Sequence, residues 1–364
     1  MKKNVILLSL LFVCFAYISE AHVWRLNNQP GVSANFTTNL QNAIDSVSSG
    51  DTIYVEQSPF SYGSANISKK VILIGGGYWL SENDSTSAYK ENSVAWGLVF
   101  NPGSEGSVVM GMYLFRQYAY NEGFSVVTIN ADNITLRKNY IFGECIWGGQ
   151  WCGGEKIQIK ILGQRSGILL EQNWINAFSS QHAIYLETAT NVVIRNNFIR
   201  CYDPGNNQPY YYAIEQINGS VNFVIKNNVI WGNIKTYNAL HINNILLVGS
   251  FTNGTSGLTA NNLCNGTQYP ASNNNKLNVE MSTVFADYDK YIDNGYFIIA
   301  GSPAKNAGYN GGDCGAFSSD FGGNPYILSG MPNIPAIFDI NFNNTIFPSD
   351  FETLDINIKA KSHN

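Results

Sequence analysis

Residues 133–141 read Asn133-Ile-Thr-Leu-Arg-Lys-Asn-Tyr-Ile141, and the same pattern returns three times further along the chain. The later copies are Gly167-Ile-Leu-Leu-Glu-Gln-Asn-Trp-Ile175, Asn191-Val-Val-Ile-Arg-Asn-Asn-Phe-Ile199 and Asn222-Phe-Val-Ile-Lys-Asn-Asn-Val-Ile230, with a weaker copy at Thr259-Ala-Asn-Asn-Leu263. The shared asparagine aligns Asn139, Asn173, Asn197, Asn228 and Asn262, at spacings of 34, 24, 31 and 34 residues. Self-similarity at a spacing of about 20 to 50 residues indicates a stacked repeat architecture.

Apolar and polar residues alternate within each copy, which predicts β-strands. Arg137 takes one polar position, which the other copies fill with Glu171, Arg195 and Lys226. A strand, a turn and a second strand cannot bury an apolar face alone, but they can when each copy stacks on the next. The asparagine falls at the turn between the two strands. At the spacing of parallel strands, about 4.8 Å, matching asparagines would bond to one another as a ladder.

This unit resembles the coils of right-handed parallel β-helix proteins with the pectin-lyase-like fold, in which an asparagine ladder marks the turn between the second and third sheets. Upstream stretches are similar to the capping helix and first coils of secreted bacterial members, and downstream stretches are similar to their closing coil. They are Leu40-Gln-Asn-Ala-Ile-Asp-Ser-Val47, Gly50-Asp-Thr-Ile-Tyr-Val55, Val71-Ile-Leu-Ile-Gly75, Gly301-Ser-Pro-Ala-Lys-Asn-Ala-Gly308 and Asp313-Cys-Gly-Ala-Phe317. The resemblance implies an all-β fold, a right-handed single-stranded parallel β-helix (solenoid) with an N-terminal capping helix.

The apolar residues of the capping segment are spaced to share one side of a helix. They are Leu40, Ala43, Ile44 and Val47. Thr37 and Thr38 are the N-cap candidates for this helix. Such a helix would cover the open end of the stack.

The composition narrows the class of function. The chain has 364 residues, 45% hydrophobic and 13% charged, so it can bury a long core. Its formal net charge of −5 argues against a nucleic-acid partner, because phosphate binding needs a basic surface. No run beyond the N-terminal segment approaches the roughly 18 apolar residues of a membrane span. We expect a monomer with no transmembrane segment.

The N-terminus has the pattern of a secretory signal peptide. Lys2 and Lys3 precede an apolar stretch at 5–18 and a small-residue site at Ser19-Glu-Ala21, so we expect cleavage after Ala21. A lipoprotein reading through Cys14 is weaker, because Val13 stands where such signals usually have a small residue. The expected domains are the signal peptide (1–21), the capped β-helix (22–330) and a C-terminal segment that packs on it (331–364). The protein would then be secreted or held at the cell surface.

An odd number of cysteines remains after removal of Cys14, in an oxidising compartment. They are Cys145, Cys152, Cys201, Cys264 and Cys314. Cys145 and Cys152 could close one Gly-rich loop, and the sequence does not pair the others. No Cys-x-x-Cys pair is present, and we expect neither a metal nor a cofactor.

A second recurrence suggests a row of polar side chains. Ala183-Ile-Tyr185, Ala213-Ile-Glu215 and Ala239-Leu-His241 look like the start of one strand on three successive coils, with Lys160 as the neighbour one coil earlier. Lys160, Tyr185, Glu215 and His241 on one exposed sheet could perform acid and base chemistry on a sugar. The alternative is a solvated polar row, which every β-solenoid has.

Aromatic residues are frequent in the segments that lead back to this sheet. The candidate substrate-binding residues are Trp147, Trp151, Tyr202, Tyr210, Tyr211, Tyr212, Trp231 and Tyr237. Aromatic faces stack on sugar rings, and loops on a rigid scaffold commonly carry binding. In proteins of the resembled family the corresponding loops wall a substrate groove above the first sheet. The alternative is that these aromatics pack on one another to order long loops.

A further row should point outward after the ladder. It comprises Tyr140, Trp174, Phe198 and Val229, and Leu169, Val193 and Val224 should also face outward. So much apolar surface needs a cover. We expect the last segment, 331–359, to lie across part of it, and a second sugar platform is the alternative.

Three hypotheses of function remain. The first is a glycan-binding secreted or surface protein, whose partner is a polysaccharide or surface glycan. The second is a metal-independent polysaccharide lyase, with Tyr185 or His241 as base and Lys160 offsetting the uronate charge, or less favourably a glycoside hydrolase using Glu215. The calcium carboxylates of pectate lyases and the motifs of polygalacturonases are not found, and His182 and His363 have no recognisable partner. The third is a structural or adhesive surface protein.

Overall fold

The computed structural model describes residues 21–118, 124–145, 156–177, 182–201, 212–219, 222–254, 257–342 and 356–362. Within these ranges 26 strands form three parallel sheets, and from Ser64 onward the chain visits the first, second and third sheet in turn on each coil. The predicted fold, a right-handed parallel β-helix, is confirmed. The predicted signal peptide, Cys152 and His363 lie outside the described residues.

The strands are numbered in chain order. The first sheet contains β3 (Ser64–Ile67), β6 (Gly97–Phe100), β9 (Phe124–Ile129), β12 (Lys156–Ser166), β15 (His182–Thr190), β18 (Tyr212–Gln216), β21 (Asn233–Lys235) and β24 (Phe251–Thr252). The second sheet contains β1 (Val23–Leu26), β2 (Thr52–Val55), β4 (Ile72–Gly75), β7 (Val108–Met110), β10 (Thr135–Arg137), β13 (Leu169–Glu171), β16 (Val192–Arg195), β19 (Phe223–Lys226), β22 (Leu240–Ile242) and β25 (Thr259–Ala260). The third sheet contains β5 (Val94–Ala95), β8 (Tyr113–Tyr118), β11 (Tyr140–Cys145), β14 (Trp174–Asn176), β17 (Phe198–Arg200), β20 (Val229–Trp231), β23 (Ile245–Val248) and β26 (Leu263–Cys264).

The remaining elements lie outside the coils. An antiparallel hairpin joins β27 (Pro335–Phe342) and β28 (Ile356–Ser362). The helix α1 spans Leu40–Ser46, and short 3-10 turns span Met281–Thr283, Asp293–Tyr296, Asp320–Gly322 and Leu328–Gly330.

The asparagine ladder is present and buried at the turn between the second and third sheets. Its members are Asn139, Asn173, Asn197, Asn228, Asn244, Asn262 and Asn275. The Nδ2 of each donates to the Oδ1 of the next at 2.9–3.1 Å. The sequence alignment missed Asn244 and Asn275. The last predicted interval of 34 residues is therefore two short coils, of 16 and 18 residues.

The residue before each ladder asparagine adopts a left-handed backbone conformation. These residues are Lys138, Gln172, Asn196, Asn227, Asn243, Asn261 and Asn274, with φ between 54° and 60°. Asparagine tolerates this region better than most residues, which explains the repeated Asn-Asn pairs. The turn from the first to the second sheet has a second left-handed row, formed by Asn133, Gly167, Asn191, Asn222 and Asn238. The first four of these residues open the sequence copies, so the first residue of each copy and its shared asparagine both meet the requirements of a turn.

The helix α1 caps one end of the core. Its N-cap is Asn39, whose side chain accepts from the Asn42 N–H at 2.9 Å, so the prediction of Thr37 or Thr38 is wrong. Leu40, Ala43 and Ile44 are buried and join the core of the coils, as their spacing predicted.

The apolar row that follows the ladder and faces outward is buried, as so large an apolar surface requires. Most of the residues that cover it precede the last segment. Tyr140, Trp174 and Phe198 are 8%, 2% and 1% exposed. The side chains packed with them come from Tyr78, Trp79, Met281, Val284, Phe285, Tyr296, Ala304, Ala316 and Tyr326. Residues 281–326 therefore provide the main cover that we expected from the last segment. In the hairpin that follows, Ile340, Phe342, Ile356 and Ile358 are exposed.

Candidate functional site

The outer face of the first sheet carries a row of polar side chains in register. Lys160 on β12 neighbours Tyr185 on β15, which neighbours Glu215 on β18. This part of the predicted row is confirmed. The next neighbour of Glu215 is Lys235 on β21.

His241 does not belong to this row, so its assignment to the site is wrong. It lies on β22 of the second sheet, between Ile225 and Thr259, and its side chain is fully buried. Its Nε2 is 2.9 Å from the Thr236 Oγ1. The error follows from the short coil: the chain has already crossed the first sheet at 233–235 before it reaches His241.

Burial makes His241 a determinant of acid stability. Burial lowers its pKa to about 3, whereas an unfolded histidine titrates near about 6.5. The unfolded state therefore binds the extra proton first, and the contribution of His241 to stability is lost as pH falls from about 6.5 towards 3. Between pH 6 and 4, each unit decrease in pH should lower the free energy of unfolding of the wild type by about 1.4 kcal/mol more than that of His241→Gln. Urea unfolding of both proteins across this range measures the difference, and equal slopes would refute it.

A second histidine, His182, takes a place in the site that the sequence did not reveal. Its Nδ1 lies 3.2 Å from the Glu215 Oε2, although the two residues are 33 positions apart. Its ring stacks on Tyr212, with centroids 5.9 Å apart, and meets Tyr185 edge-on at 5.3 Å. Both members of the pair are largely shielded, with side-chain exposures of 12% and 10%. The pair thus forms an ordered centre between two tyrosine rings.

Lysines flank this centre on both sides along the row. The Lys235 Nζ donates to the Glu215 Oε1 at 3.0 Å, which raises the pKa of the lysine. The same ammonium lies 5.8 Å from the centroid of the Tyr212 ring. On the other side the Lys160 Nζ is 5.3 Å from the centroid of the Tyr185 ring. A carboxylate, an imidazole, two ammonium groups and two phenol rings therefore meet on four neighbouring strands.

The predicted aromatic residues divide among three places. Tyr212 lies in the first sheet beside His182, as described above. Trp231 is 7% exposed on the third sheet and packs against Tyr296, so its placement over the first sheet is wrong. Tyr237 follows β21 on the side of the turn to the second sheet, and it is 36% exposed. Trp147, Trp151, Tyr202, Tyr210 and Tyr211 lie outside the described residues.

The row continues towards the capped end, where a cleft opens. Through the pairs Lys160–Thr128, Thr128–Val99 and Val99–Asn66 the row spans eight strands from Asn66 to Thr252. A cleft of about 490 Å³ there is lined by Asn66, Trp96, Val99, Phe115, Arg116 and Gln117, among others. Trp96, between β5 and β6, is 55% exposed. Sequence reasoning missed Trp96 because its coil lacks the repeated asparagine.

The side chains of the described face include groups that can donate and accept hydrogen bonds or protons. No cluster of three or more histidine, cysteine, aspartate or glutamate side chains suited to a metal occurs in the described ranges. Cys201, Cys264 and Cys314 are buried thiols without disulfides, and burial raises the pKa of Cys201 and Cys314. They lie away from the face.

The fold and the site define the class: this is a parallel β-helix protein with a polar and aromatic face. No protein-family model matches the chain, and a search of curated proteins finds no match to it. None of the helices in the described ranges has the length and apolar character that a membrane crossing requires.

Proposed function

We propose that this protein is an exported glycan-binding protein that holds an extended polysaccharide along the outer face of its first sheet. The observation that carries the proposal is the in-register set Lys160, Tyr185, Glu215 and Lys235, with His182 and Tyr212 beside it. At about 4.8 Å per strand the eight-stranded row is about 34 Å long, which suits a linear polymer rather than a small molecule. Binding residues placed on strands are held more precisely than those on loops.

The groups of this face match the chemistry of sugars. Tyr185, Tyr212 and Trp96 offer ring faces, and Glu215 accepts hydrogen bonds from hydroxyl groups. Lys160 and Lys235 offer ammonium donors, which favours a polysaccharide with carboxylate groups. The ion pairs fix the side chains before a ligand arrives, so less side-chain entropy is lost on binding.

A polysaccharide lyase is the second candidate, favoured by the contact between His182 and Glu215. An imidazole oriented by a second group can act as the base that removes the proton next to a uronate carboxyl. Glu215 supplies that orientation through its 3.2 Å contact with the ring. Lys160 or Lys235 would offset the charge that develops on the uronate. His182, rather than His241, is then the candidate base.

Glycan binding is expected to weaken about tenfold or more in Glu215→Gln and in Tyr185→Ala, because each removes a contact to the sugar. The dissociation constant is measured by isothermal titration calorimetry against a panel of uronate-containing and neutral polysaccharides. Tyr309→Ala is the matched control, since this tyrosine is 53% exposed elsewhere on the chain.

The same panel separates the two candidates. Binding without unsaturated product or new reducing ends supports the glycan-binding protein. Unsaturated product formed by the wild type and abolished in His182→Ala supports the lyase. Affinity unchanged in both first-sheet variants, or no retention of any polysaccharide, would reject the face as the site.

A further inference from the structure

A separate cavity lies over the third sheet, away from the polar row. It has a volume of about 370 Å³, within the range of small-molecule sites. Its walls are the outer face of the sheet and the segment 279–291. The lining residues are Arg200, Trp231, Leu247, Val248, Asn265, Val279, Glu280, Met281, Tyr288, Asp289 and Tyr291.

The distinctive group in this cavity is the guanidinium of Arg200. Arg200 lies on β17 between Asn176 and Trp231 in the outward row of the third sheet. Its Cζ is 4.3 Å from the centroid of the Tyr291 ring, so the guanidinium is held by cation–π contact. Its Nε is buried and has no hydrogen-bond partner among the described residues. A positioned guanidinium whose Nε lacks a partner is suited to a ligand carboxylate, which can accept two parallel hydrogen bonds.

The rest of the cavity offers complementary chemistry. Trp231, Leu247 and Met281 form a buried apolar floor, at 7%, 6% and 6% exposure. Glu280 and Asp289 stand exposed at the rim, where their oxygens can accept from hydroxyl groups. These carboxylates disfavour a small inorganic anion such as phosphate. A neutral sugar would offer Arg200 only hydroxyl oxygens, which are weaker acceptors than a carboxylate, and a cation would be repelled by the guanidinium.

We propose that this cavity binds a single hexuronic acid unit, with its carboxylate on Arg200 and its hydroxyl groups towards Glu280 and Asp289. The site is independent of the first-sheet face. If both sites bind one acidic polysaccharide, the second contact becomes intramolecular and raises avidity.

Titration calorimetry with sodium galacturonate and sodium glucuronate tests the proposal, with galactose, glucose and sodium phosphate as comparison probes. At least one uronate should bind about tenfold or more tightly than its neutral hexose and than phosphate. Arg200→Met should lose about tenfold or more in affinity for that uronate. Asp289→Asn keeps an oxygen acceptor for the hydroxyl group and removes a negative charge near the ligand carboxylate, so this variant should bind the uronate more tightly. Arg25→Met, which removes an exposed arginine of the second sheet, is the matched control.

Several outcomes would overturn the inference. They are no uronate binding by the wild type, equal affinity for uronate and hexose or phosphate, and unchanged affinity in Arg200→Met. Should Arg200→Met fail to fold, Arg200→Lys keeps the charge and loses the planar fork, and undiminished affinity in that variant has the same meaning. If Glu215→Gln loses uronate binding and Arg200→Met keeps it, the uronate binds on the first sheet. That result would reject this cavity as the site and leave the proposed function intact.

Discussion

Asn228→Ala is expected to lower the free energy of unfolding by about 3–5 kcal/mol, because it cuts the buried ladder at its centre. The Asn228 Nδ2 donates to the Ile194 O, the Lys226 O and the Asn244 Oδ1, each at 2.9 Å. Its Oδ1 accepts from the Asn197 N–H at 2.9 Å. Alanine removes all four of these bonds and leaves the buried Asn197 N–H without its acceptor.

Urea unfolding followed by circular dichroism measures this loss. Asn357→Ala is the control, because this asparagine is exposed on β28, and its effect should stay within about 0.5 kcal/mol. A loss below about 1 kcal/mol in Asn228→Ala would show that the ladder does not stabilise the coils.

Glu171→Ala is expected to cost about 3 kcal/mol, since it removes a buried carboxylate that pairs with partly exposed arginines on both neighbouring coils. Glu171 is fully buried, and its carboxylate pairs with Arg195 on one neighbouring strand and, at 2.6 Å, with the Arg137 Nε on the other. Lys226 follows Arg195 in the same row. Removing the carboxylate leaves three cations on nearby strands with no negative charge among them.

Asp339→Ala provides the comparison for this variant. Asp339 pairs with Lys359 on the hairpin, where both side chains are accessible, with exposures of 31% and 55%. Exposed pairs contribute about 0–1 kcal/mol, so this change should be small. Thermal or urea unfolding of the two variants compares them, and similar small losses in both would contradict the account of Glu171.

The coil architecture could be predicted because its requirements recur in the sequence. Each turn before the third sheet needs a residue in the left-handed conformation, followed by a side-chain amide that bonds the next coil. In the pair Asn196-Asn197 the first residue meets the backbone requirement and the second makes the bond. The Lys160, Tyr185 and Glu215 row followed from the same register. Gly167 marks the other recurring turn, from the first to the second sheet, since a Cβ there would collide with the Asn133 Oδ1.

The rest of the site could not be predicted, because its contacts join residues that are far apart in the sequence and no local pattern indicates them. Coil length varies, and the step of 16 residues from Asn228 to Asn244 hid a coil, so His241 was placed where Lys235 lies. His182 and Glu215 lie on neighbouring strands of two successive coils, and they meet because their side chains extend towards each other. The cover over Trp174 comes from more than 100 residues further along the chain, as with Tyr296, which no repeat could predict.

The position of a bound oligosaccharide tests the central claim most directly. A crystal structure of the protein with an oligosaccharide from the tightest-binding polysaccharide of the panel should place sugar rings along the first sheet, in contact with Tyr185 and Glu215. A chain of sugar bound only over the second or third sheet, with the first-sheet face empty, would contradict it.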